Sequence, residues 1–403
     1  MDFETRCIHG GQYDFDTIVE RRGTSCLKYD QAERRGYPSD ILPLWIADMD
    51  FPTAPPILEK LAETVKRGIF GYSQSLDDYC RITVKWFERN FEWTPNKEWL
   101  VKTPGVVFAL ATAVKAFTEK GDAVLIQPPV YYPFYEVITN NERKLVENRL
   151  KNINGHYEID FDDFEKKIAE NNVKLFILCS PHNPVGRVWK VDELRRLGEI
   201  CEKYNVLIVS DEIHCDFVFP EYKHTIFCKA CPQFADRTII CTSASKTFNL
   251  AGLQLSNIWI PNRRLRYKFK SEVVSSGYTE FSIMGIEATK AAYSEGADWH
   301  EKSWEYIREN FDFLRNFLEK RLPQIKLVEP EGTYFAWLDC SGLGLDVKEL
   351  NEMIIKKAGL WLDSGNIFGK ESEQFQRIVM ASPRKLIEKA LLQLESAVYE
   401  RGI

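Results

Sequence analysis

The sequence predicts an α/β protein whose large, mostly parallel sheet is flanked by helices, with a smaller α+β domain towards the C-terminus. Short, continuously apolar runs recur through the middle of the chain, which is typical of strands buried on both faces of a parallel sheet. Amphipathic segments separate these runs, as the crossover connections between parallel strands require. The 403 residues are also enough for two domains.

The predicted elements follow in chain order. Residues 1–45 are polar and mixed, and we expect them to form an N-terminal arm that packs on the small domain. Apolar residues at helical spacing predict the first helices. The predicted elements of the large domain are helices at 54–66, 77–91, after 105 and at 191–204, and strands at 123–127, 175–179, 206–210, 238–242 and 255–260.

A long helix predicted at 298–321 marks a change from this repeating pattern. We therefore expect a large domain at 46–290 and a small domain at 291–403. The other predicted elements of the small domain are a strand at 334–338, a helix at 347–357, a strand at 377–380 and a closing helix from 384.

Composition excludes several classes of function. The net charge is −6, and basic residues alternate with acidic ones, so no nucleic-acid partner is expected. The chain has no run of about 18 apolar residues that would span a membrane, and its first residues do not resemble a signal peptide. We therefore expect a cytoplasmic protein with no membrane partner. The ten scattered cysteines indicate reduced, buried thiols.

One group of histidines and cysteines contains the residue types that bind zinc. His214, Cys215, His224, Cys228 and Cys231 lie close in sequence and include one Cys-x-x-Cys pair. A structural zinc site normally has a second tight ligand pair, whereas these two histidines are ten residues apart. We therefore expect no metal.

Chemically useful side chains follow the predicted strands, at the sheet edge where α/β proteins bind ligands. One of them is Lys246, which we expect to lie in a partly dehydrated turn. A lysine in such a turn loses its proton more readily and can form a Schiff base. Gly105 opens a predicted helix whose first N–H groups could bind an anion, although close packing would also explain this glycine. The strand-end residues are Tyr131, Asn183, Asp211, His214, Ser243, Ser245 and Lys246. Together they suit a flat, phosphorylated heterocycle.

The order and spacing of these residues resemble those of the fold-type I pyridoxal-phosphate enzymes, in their class I/II aminotransferase-like group. Asn183-Pro184-Val185-Gly186 comes first, Asp211 follows Asn183 by 28 residues, and Lys246 follows Asp211 by 35. The chain is most similar to the MalY/PatB-type cystathionine β-lyase (C–S lyase) branch. The segments that carry this similarity are 44–51, 70–73, 211–214, 245–253 and 381–384. The resemblance implies the aspartate aminotransferase fold and pyridoxal 5′-phosphate as cofactor.

The resemblance also implies a role for each residue around the cofactor ring. Lys246 would carry the cofactor covalently and move the Cα proton of the substrate. Asp211 would pair with the pyridinium nitrogen and Asn183 with the phenolic oxygen. Tyr131 would stack on the ring. For His214 two interpretations stay open, a hydrogen bond to the cofactor and the filling of a gap at the strand end.

A second set of roles concerns the phosphate, the substrate and the partner subunit. Tyr72 would reach the phosphate of the neighbouring subunit, which implies a homodimer with shared active sites. Arg377 would bind the α-carboxylate of a small amino-acid substrate, with Trp45 beside it. The residues implied to bind the phosphate within the same subunit are Gly105, Val106, Val107, Ser243 and Ser245.

Two departures from the aminotransferase pattern favour the lyase branch. Gln254 stands where aminotransferases have a phosphate-binding arginine, and His214 stands where they have a tyrosine. The predicted function is therefore α,β-elimination of cystathionine or a related L-cysteine S-conjugate to a thiol, pyruvate and ammonia. The alternatives are a class I/II aminotransferase and a regulatory protein that retains the cofactor.

Overall fold

The structure is a computed structural model that describes residues 8–9 and 12–402. Its larger sheet has seven strands, which are β1 (Leu100–Thr103), β2 (Ala123–Ile126), β3 (Lys144–Glu147), β4 (Leu175–Cys179), β5 (Leu207–Asp211), β6 (Thr238–Thr242) and β7 (Ser256–Trp259). Their order across the sheet is β1-β7-β6-β5-β4-β2-β3. Strand β7 is antiparallel to both of its neighbours, and the other pairs are parallel. The prediction of a mostly parallel α/β sheet is confirmed.

Both faces of this sheet are buried, as the apolar runs predict. In β4, Phe176 and Leu178 pack into one hydrophobic cluster, while Leu175 and Ile177 pack into the cluster on the opposite face. The helices that cover these faces are Pro55–Lys66, Asp77–Phe91, Val106–Phe117, Pro133–Thr139, Phe161–Asn171, Val191–Lys203, Arg263–Ser275 and Ile283–Glu295.

Strands β1 and β3 were not among the predicted elements. They are the two outermost strands of the sheet, and each mixes apolar with charged residues. An edge strand is partly exposed, so its sequence lacks the continuous apolar run that identifies the inner strands.

The C-terminal part of the chain contains a four-stranded antiparallel sheet in the order β8-β9-β11-β10. Its strands are β8 (Lys326–Val328), β9 (Phe335–Asp339), β10 (Asp363–Ser364) and β11 (Phe375–Val379). The predicted helix at 347–357 is α-helical over Val347–Glu352 and continues as a π-helix over Met353–Lys357. The long helices Ala297–Arg321 and Arg384–Tyr399 pack beside this sheet.

The N-terminal segment is more ordered than its polar composition suggests. It contains the short helix Leu27–Asp30, and the Lys28 side chain is fully buried 2.7 Å from the carboxylate of Asp50. Leu42–Pro43 pairs in parallel with Leu360–Trp361. The expected domain limits at residues 45 and 290 stay predictions, and part of the expected arm lies outside the described residues.

The shorter elements include two hairpins and a one-turn helix. Ile8–His9 pairs with Gln12–Tyr13, and Lys151–Ile153 pairs with His156–Glu158, both antiparallel. A helix of one turn covers Phe227–Ala230. Within residues 8–9 and 12–402, no helix has the length and apolar character needed to cross a membrane.

Candidate active site

A cavity of about 210 Å³ lies at the carboxyl ends of β4, β5 and β6. Strand β4 contributes Cys179 and β5 contributes Asp211, each as its last residue. This is the edge at which open α/β sheets bind ligands. The predicted site residues that line the cavity are Gly105, Val106, Val107, Tyr131, Asn183, Asp211, His214, Ser245 and Lys246.

Lys246 follows β6 on the short helix Ala244–Thr247. Its Nζ donates a hydrogen bond of 2.7 Å to the backbone carbonyl of Ala47. Burial among protein atoms lowers the pKa of Lys246 to about 8, although the side chain stays accessible through the cavity. The neutral amine that a nucleophilic lysine requires is therefore more populated near neutral pH than it is in an ordinary lysine.

Asp211 is buried at the end of β5, and this burial raises the pKa of its carboxyl group to about 7. One of its oxygens accepts a hydrogen bond of 3.2 Å from the backbone N–H of Ile213. A buried carboxylate of this kind is stabilised by a cation placed beside it. Asp211 is therefore suited to hold a protonated ring nitrogen.

Arg377 is buried on β11, opposite Asp363 of β10. Its Nη1 donates to Oδ1 of Asn183 at 2.8 Å. Its Nη2 donates to the backbone carbonyl of Trp45 at 2.9 Å and to the carboxylate of Asp363. The planar fork is therefore fixed beside the cavity, in the geometry that recognises carboxylates.

His214 and Tyr131 bring aromatic surface to the cavity. The His214 ring packs edge-on against Tyr334 and Phe335, at centroid distances of 5.6 Å and 5.1 Å. Burial and the positive charges of nearby Lys246 and Arg377 lower the pKa of His214, so the ring is neutral. Burial also raises the pKa of Tyr131, which keeps its hydroxyl protonated.

The other end of the cavity meets the start of the helix Val106–Phe117. The first N–H groups of a helix have no partner within the helix, and the helix dipole favours an anion there. Gly105 precedes this helix, and Ser245 and Gln254 also line the cavity. The arrangement is suited to a phosphate group.

Comparison with known proteins agrees with this geometry. The family model for aminotransferase class I and II matches residues 39–394. The chain belongs to this family. The fold-type I resemblance predicted from the sequence is thereby confirmed.

Relatives of this aminotransferase-family chain come from the predicted branch. The chain is 40% identical to cystathionine β-lyase PatB of Bacillus subtilis (strain 168) over 385 residues. This alignment covers 96% of the chain and 100% of the relative. Cystalysin from Treponema denticola, whose crystal structure contains pyridoxal 5′-phosphate, is 38% identical with a TM-score of 0.93, covering 96% and 99% of the two chains. A PLP-bound protein from Clostridium difficile 630, provisionally described as an aminotransferase, is 39% identical with a TM-score of 0.94, covering 96% and 100%.

Besides Arg377, which contacts the lining residue Asn183, three predicted site residues of this family member lie outside the lining of the cavity. The Ser243 hydroxyl donates to the carbonyl of Leu255 at 2.8 Å and accepts from the N–H of Ser245 at 3.1 Å, so it caps the helix that carries Lys246. The Trp45 ring stacks on Trp361 at 4.5 Å, so only its carbonyl bonds to Arg377. Both placements depart from the predicted contacts with cofactor and substrate.

Tyr72 is the third of these residues. It is 96% exposed and lies outside the lining of the cavity of its own chain. The expected contact of Tyr72 with a partner subunit stays a prediction.

Several functional neighbours were not predicted from the sequence. Ala47 contributes only a backbone carbonyl, which no residue type reveals. Asp363 is a single acid whose partner, Arg377, cannot be inferred from the neighbouring sequence. We expect no metal at the histidines and cysteines of residues 214–231. In this group, the His224 ring lies 2.8 Å from the carboxylate of Glu212. Among the described residues, no group of three histidine, cysteine or acidic side chains is arranged to hold a metal ion.

Proposed function

We propose that this protein is a pyridoxal-phosphate-dependent carbon–sulfur β-lyase. Its substrate is cystathionine or a related L-cysteine S-conjugate, and its products are a thiol, pyruvate and ammonia. The observation that carries this proposal is Lys246, whose pKa is lowered and which lines the same cavity as Asp211 and Asn183, in a chain 40% identical to a cystathionine β-lyase.

The donor set of the cavity fits pyridoxal phosphate. Asp211, with its raised pKa, offers a carboxylate that a protonated ring nitrogen would stabilise. The helix start at Gly105 offers N–H groups to a phosphate, and the Lys246 amine opens on the same cavity. When bound, the cofactor supplies an electron sink for a carbanion at the substrate Cα.

Each cavity residue has a proposed task. Lys246 would hold the cofactor covalently, and its Nζ would accept the Cα proton of the substrate. Asp211 would keep the ring nitrogen protonated. Asn183 would donate to the phenolic oxygen through its amide nitrogen, because its Oδ1 already accepts from Arg377. Arg377 binds the α-carboxylate with its fork. Neutral His214 and Tyr131 position the ring.

The elimination follows from one proton transfer. Lys246 removes the Cα proton, the electrons of that bond form the Cα–Cβ double bond, and the thiolate leaves from Cβ. Water then hydrolyses the remaining unsaturated amino acid to pyruvate and ammonia. A β-lyase and an aminotransferase share the first step and differ in whether Cβ loses its substituent.

The deciding experiment uses the purified holoenzyme with L-cystathionine. We expect pyruvate and thiol to appear in equal amounts, and Lys246→Ala to abolish both, because a positioned proton acceptor contributes about 10² to 10⁴ in rate and the cofactor bond is lost as well. The matched assay measures amino transfer to a 2-oxo acid. Rapid transfer without release of pyruvate would instead establish the aminotransferase alternative.

We also propose a homodimer with shared sites. The segment 67–76 exposes large apolar side chains at Ile69, Phe70 and Leu76, each more than half accessible, together with Tyr72. Exposed apolar patches of this kind mark protein–protein contacts. A cytoplasmic location, and the absence of nucleic-acid and membrane partners, stay predictions from the sequence.

A further inference from the structure

A carboxylate outside the candidate active site is bonded to the residue next to Lys246. Asp216 is partly buried and lines a second cavity, of about 250 Å³, rather than the one that Lys246 lines. Its Oδ2 accepts a hydrogen bond of 2.5 Å from Oγ1 of Thr247. Its Oδ1 accepts a bond of 3.1 Å from Nε1 of Trp86. Each oxygen of Asp216 therefore has its own donor, and the plane of the carboxylate is fixed.

The helix that carries Lys246 depends on such contacts. It is a single turn, Ala244–Thr247, and an isolated turn of helix is not stable in itself. The Ser243 hydroxyl caps its start. Thr247, its last residue, is fully buried and donates to Asp216. The position of the lysine amine is therefore set by side-chain bonds at the two ends of this turn.

Asp216 also belongs to the segment that places Asp211. Asp211 ends β5, His214 lines the active-site cavity, and Asp216 follows His214 by two residues. The N–H of Phe217 donates to the carbonyl of His214 at 3.0 Å, which folds this segment into a turn. The bond from Asp216 to the next residue after Lys246 thus joins the segment of the carboxylate to the helix of the amine.

A carboxylate is the side chain that this position requires. Trp86 is buried and stacks on Tyr293 at a centroid distance of 5.1 Å, so its N–H has a fixed direction. Burial raises the pKa of Asp216, which means that the fold disfavours its charge. An asparagine would avoid this cost, but its one acceptor oxygen could serve only one of the two donors. The charged form is therefore retained for its two acceptors.

We propose that Asp216 is a positioning residue of the active site, which acts through Thr247 to hold the Lys246 amine where it bonds to the cofactor and accepts the Cα proton. This inference rests on the proposed role of Lys246 and deepens it. Trp86 has the task of orienting the carboxylate. Asp216 lies outside the lining of the cofactor cavity, so its effect passes through the helix Ala244–Thr247.

The first test measures kcat and KM of the holoenzyme with L-cystathionine. Thr247→Val removes the hydroxyl and keeps the shape of the side chain. We expect kcat to fall at least about tenfold, because a displacement of about 1 Å between reacting groups can cost about 100-fold in rate. KM should change by less than about twofold, because the groups around Arg377 are not altered. Thr247→Ser restores the donor and should retain most of the wild-type kcat.

The second test does not depend on turnover. Pyridoxal phosphate is added to the apoprotein, where the Lys246 nitrogen bonds to the aldehyde carbon and water leaves. Borohydride then reduces this C=N bond to a stable C–N bond, and peptide mass spectrometry locates and counts it. We expect attachment to be about tenfold slower in Thr247→Val and in Asp216→Asn. The double variant should be no slower than the slower single variant, because both substitutions break the same link.

Thr238→Val provides the matched control. Thr238 is also fully buried, and its Oγ1 donates to the carbonyl of Phe234 at 2.9 Å. It begins β6, at the opposite end of the strand from Lys246. We expect this variant to lose stability, as the loss of a buried hydrogen bond requires, and to keep the wild-type kcat and rate of attachment.

The outcomes separate this proposal from the lyase function. Wild-type kcat and attachment in Thr247→Val would overturn the positioning role. So would an equal loss in Thr238→Val, which would indicate general loosening, or independent effects of Asp216→Asn and Thr247→Val in the double variant. A wild-type holoenzyme that releases no pyruvate would overturn the lyase function alone, since the rate of attachment still measures the position of Lys246.

Discussion

At the scale of single residues, the site contains a carboxyl group whose burial is unfavourable until the cofactor binds. Asp211 has a pKa of about 7 because desolvation disfavours its charge, whereas the ordinary value is 3.8. Between these values the folded apoprotein binds a proton that the unfolded chain has lost. The free energy of unfolding therefore decreases as the pH rises through this range.

This linkage predicts the behaviour of Asp211→Asn. We expect the apo variant to match wild type near pH 4 and to be more stable by a few kcal/mol at pH 8, since each pKa unit corresponds to about 1.36 kcal/mol. The same variant should lose lyase activity, because a neutral amide does not keep the ring nitrogen protonated. Urea unfolding of both apoproteins at several pH values measures the difference. A stability difference that does not change with pH would contradict the predicted pKa.

At the scale of elements, Asp363 and Arg377 connect two strands of the small sheet. They lie directly opposite each other on β10 and β11, and both side chains are buried. The guanidinium also lies 4.3 Å from the centre of the Phe335 ring. Removing one partner would leave the other charge buried without compensation, which typically costs about 3–5 kcal/mol.

A double-mutant cycle tests this coupling. We expect Asp363→Leu and Arg377→Met each to lower the free energy of unfolding by about 3 kcal/mol, and the double variant to lose clearly less than the sum. The exposed pair Arg315–Glu329, joined by hydrogen bonds of 3.0 and 2.8 Å, provides the control. The same cycle there should give at most about 1 kcal/mol. Additive losses at Asp363 and Arg377 would show that the two charges do not depend on each other.

These elements show what the sequence can predict about this protein. The inner strands β4, β5 and β6 are continuous apolar runs, so their ends, and with them Asn183, Asp211 and Lys246, could be located without a structure. Asp363 could not be assigned, because the sequence around a single acid does not show that it pairs with Arg377. Lys28 is similar, since only the fold brings its ammonium to Asp50. Local patterns identify buried strands, whereas buried charges depend on partners that are distant in sequence.

At the scale of the whole molecule, the proposed homodimer follows from a contrast in exposure. Lys246 and Asp211 meet inside one chain, whereas Tyr72 projects from the surface, 96% exposed, beside Ile69 and Phe70. A phenol in an apolar patch is well placed to complete the site of a second subunit. Each active site would then take its lysine from one chain and its tyrosine from the other.

Subunit mixing tests this arrangement directly. Homodimers of Lys246→Ala should be inactive, and homodimers of Tyr72→Ala should lose most of their activity at limiting cofactor. A heterodimer of the two variants, purified through two different affinity tags, has one site with both defects and one site with neither. We therefore expect it to regain about half of the wild-type rate per dimer, because only the intact site turns over. A heterodimer no more active than its parents would place Tyr72 and Lys246 of the same chain in one site, or Tyr72 in no site at all.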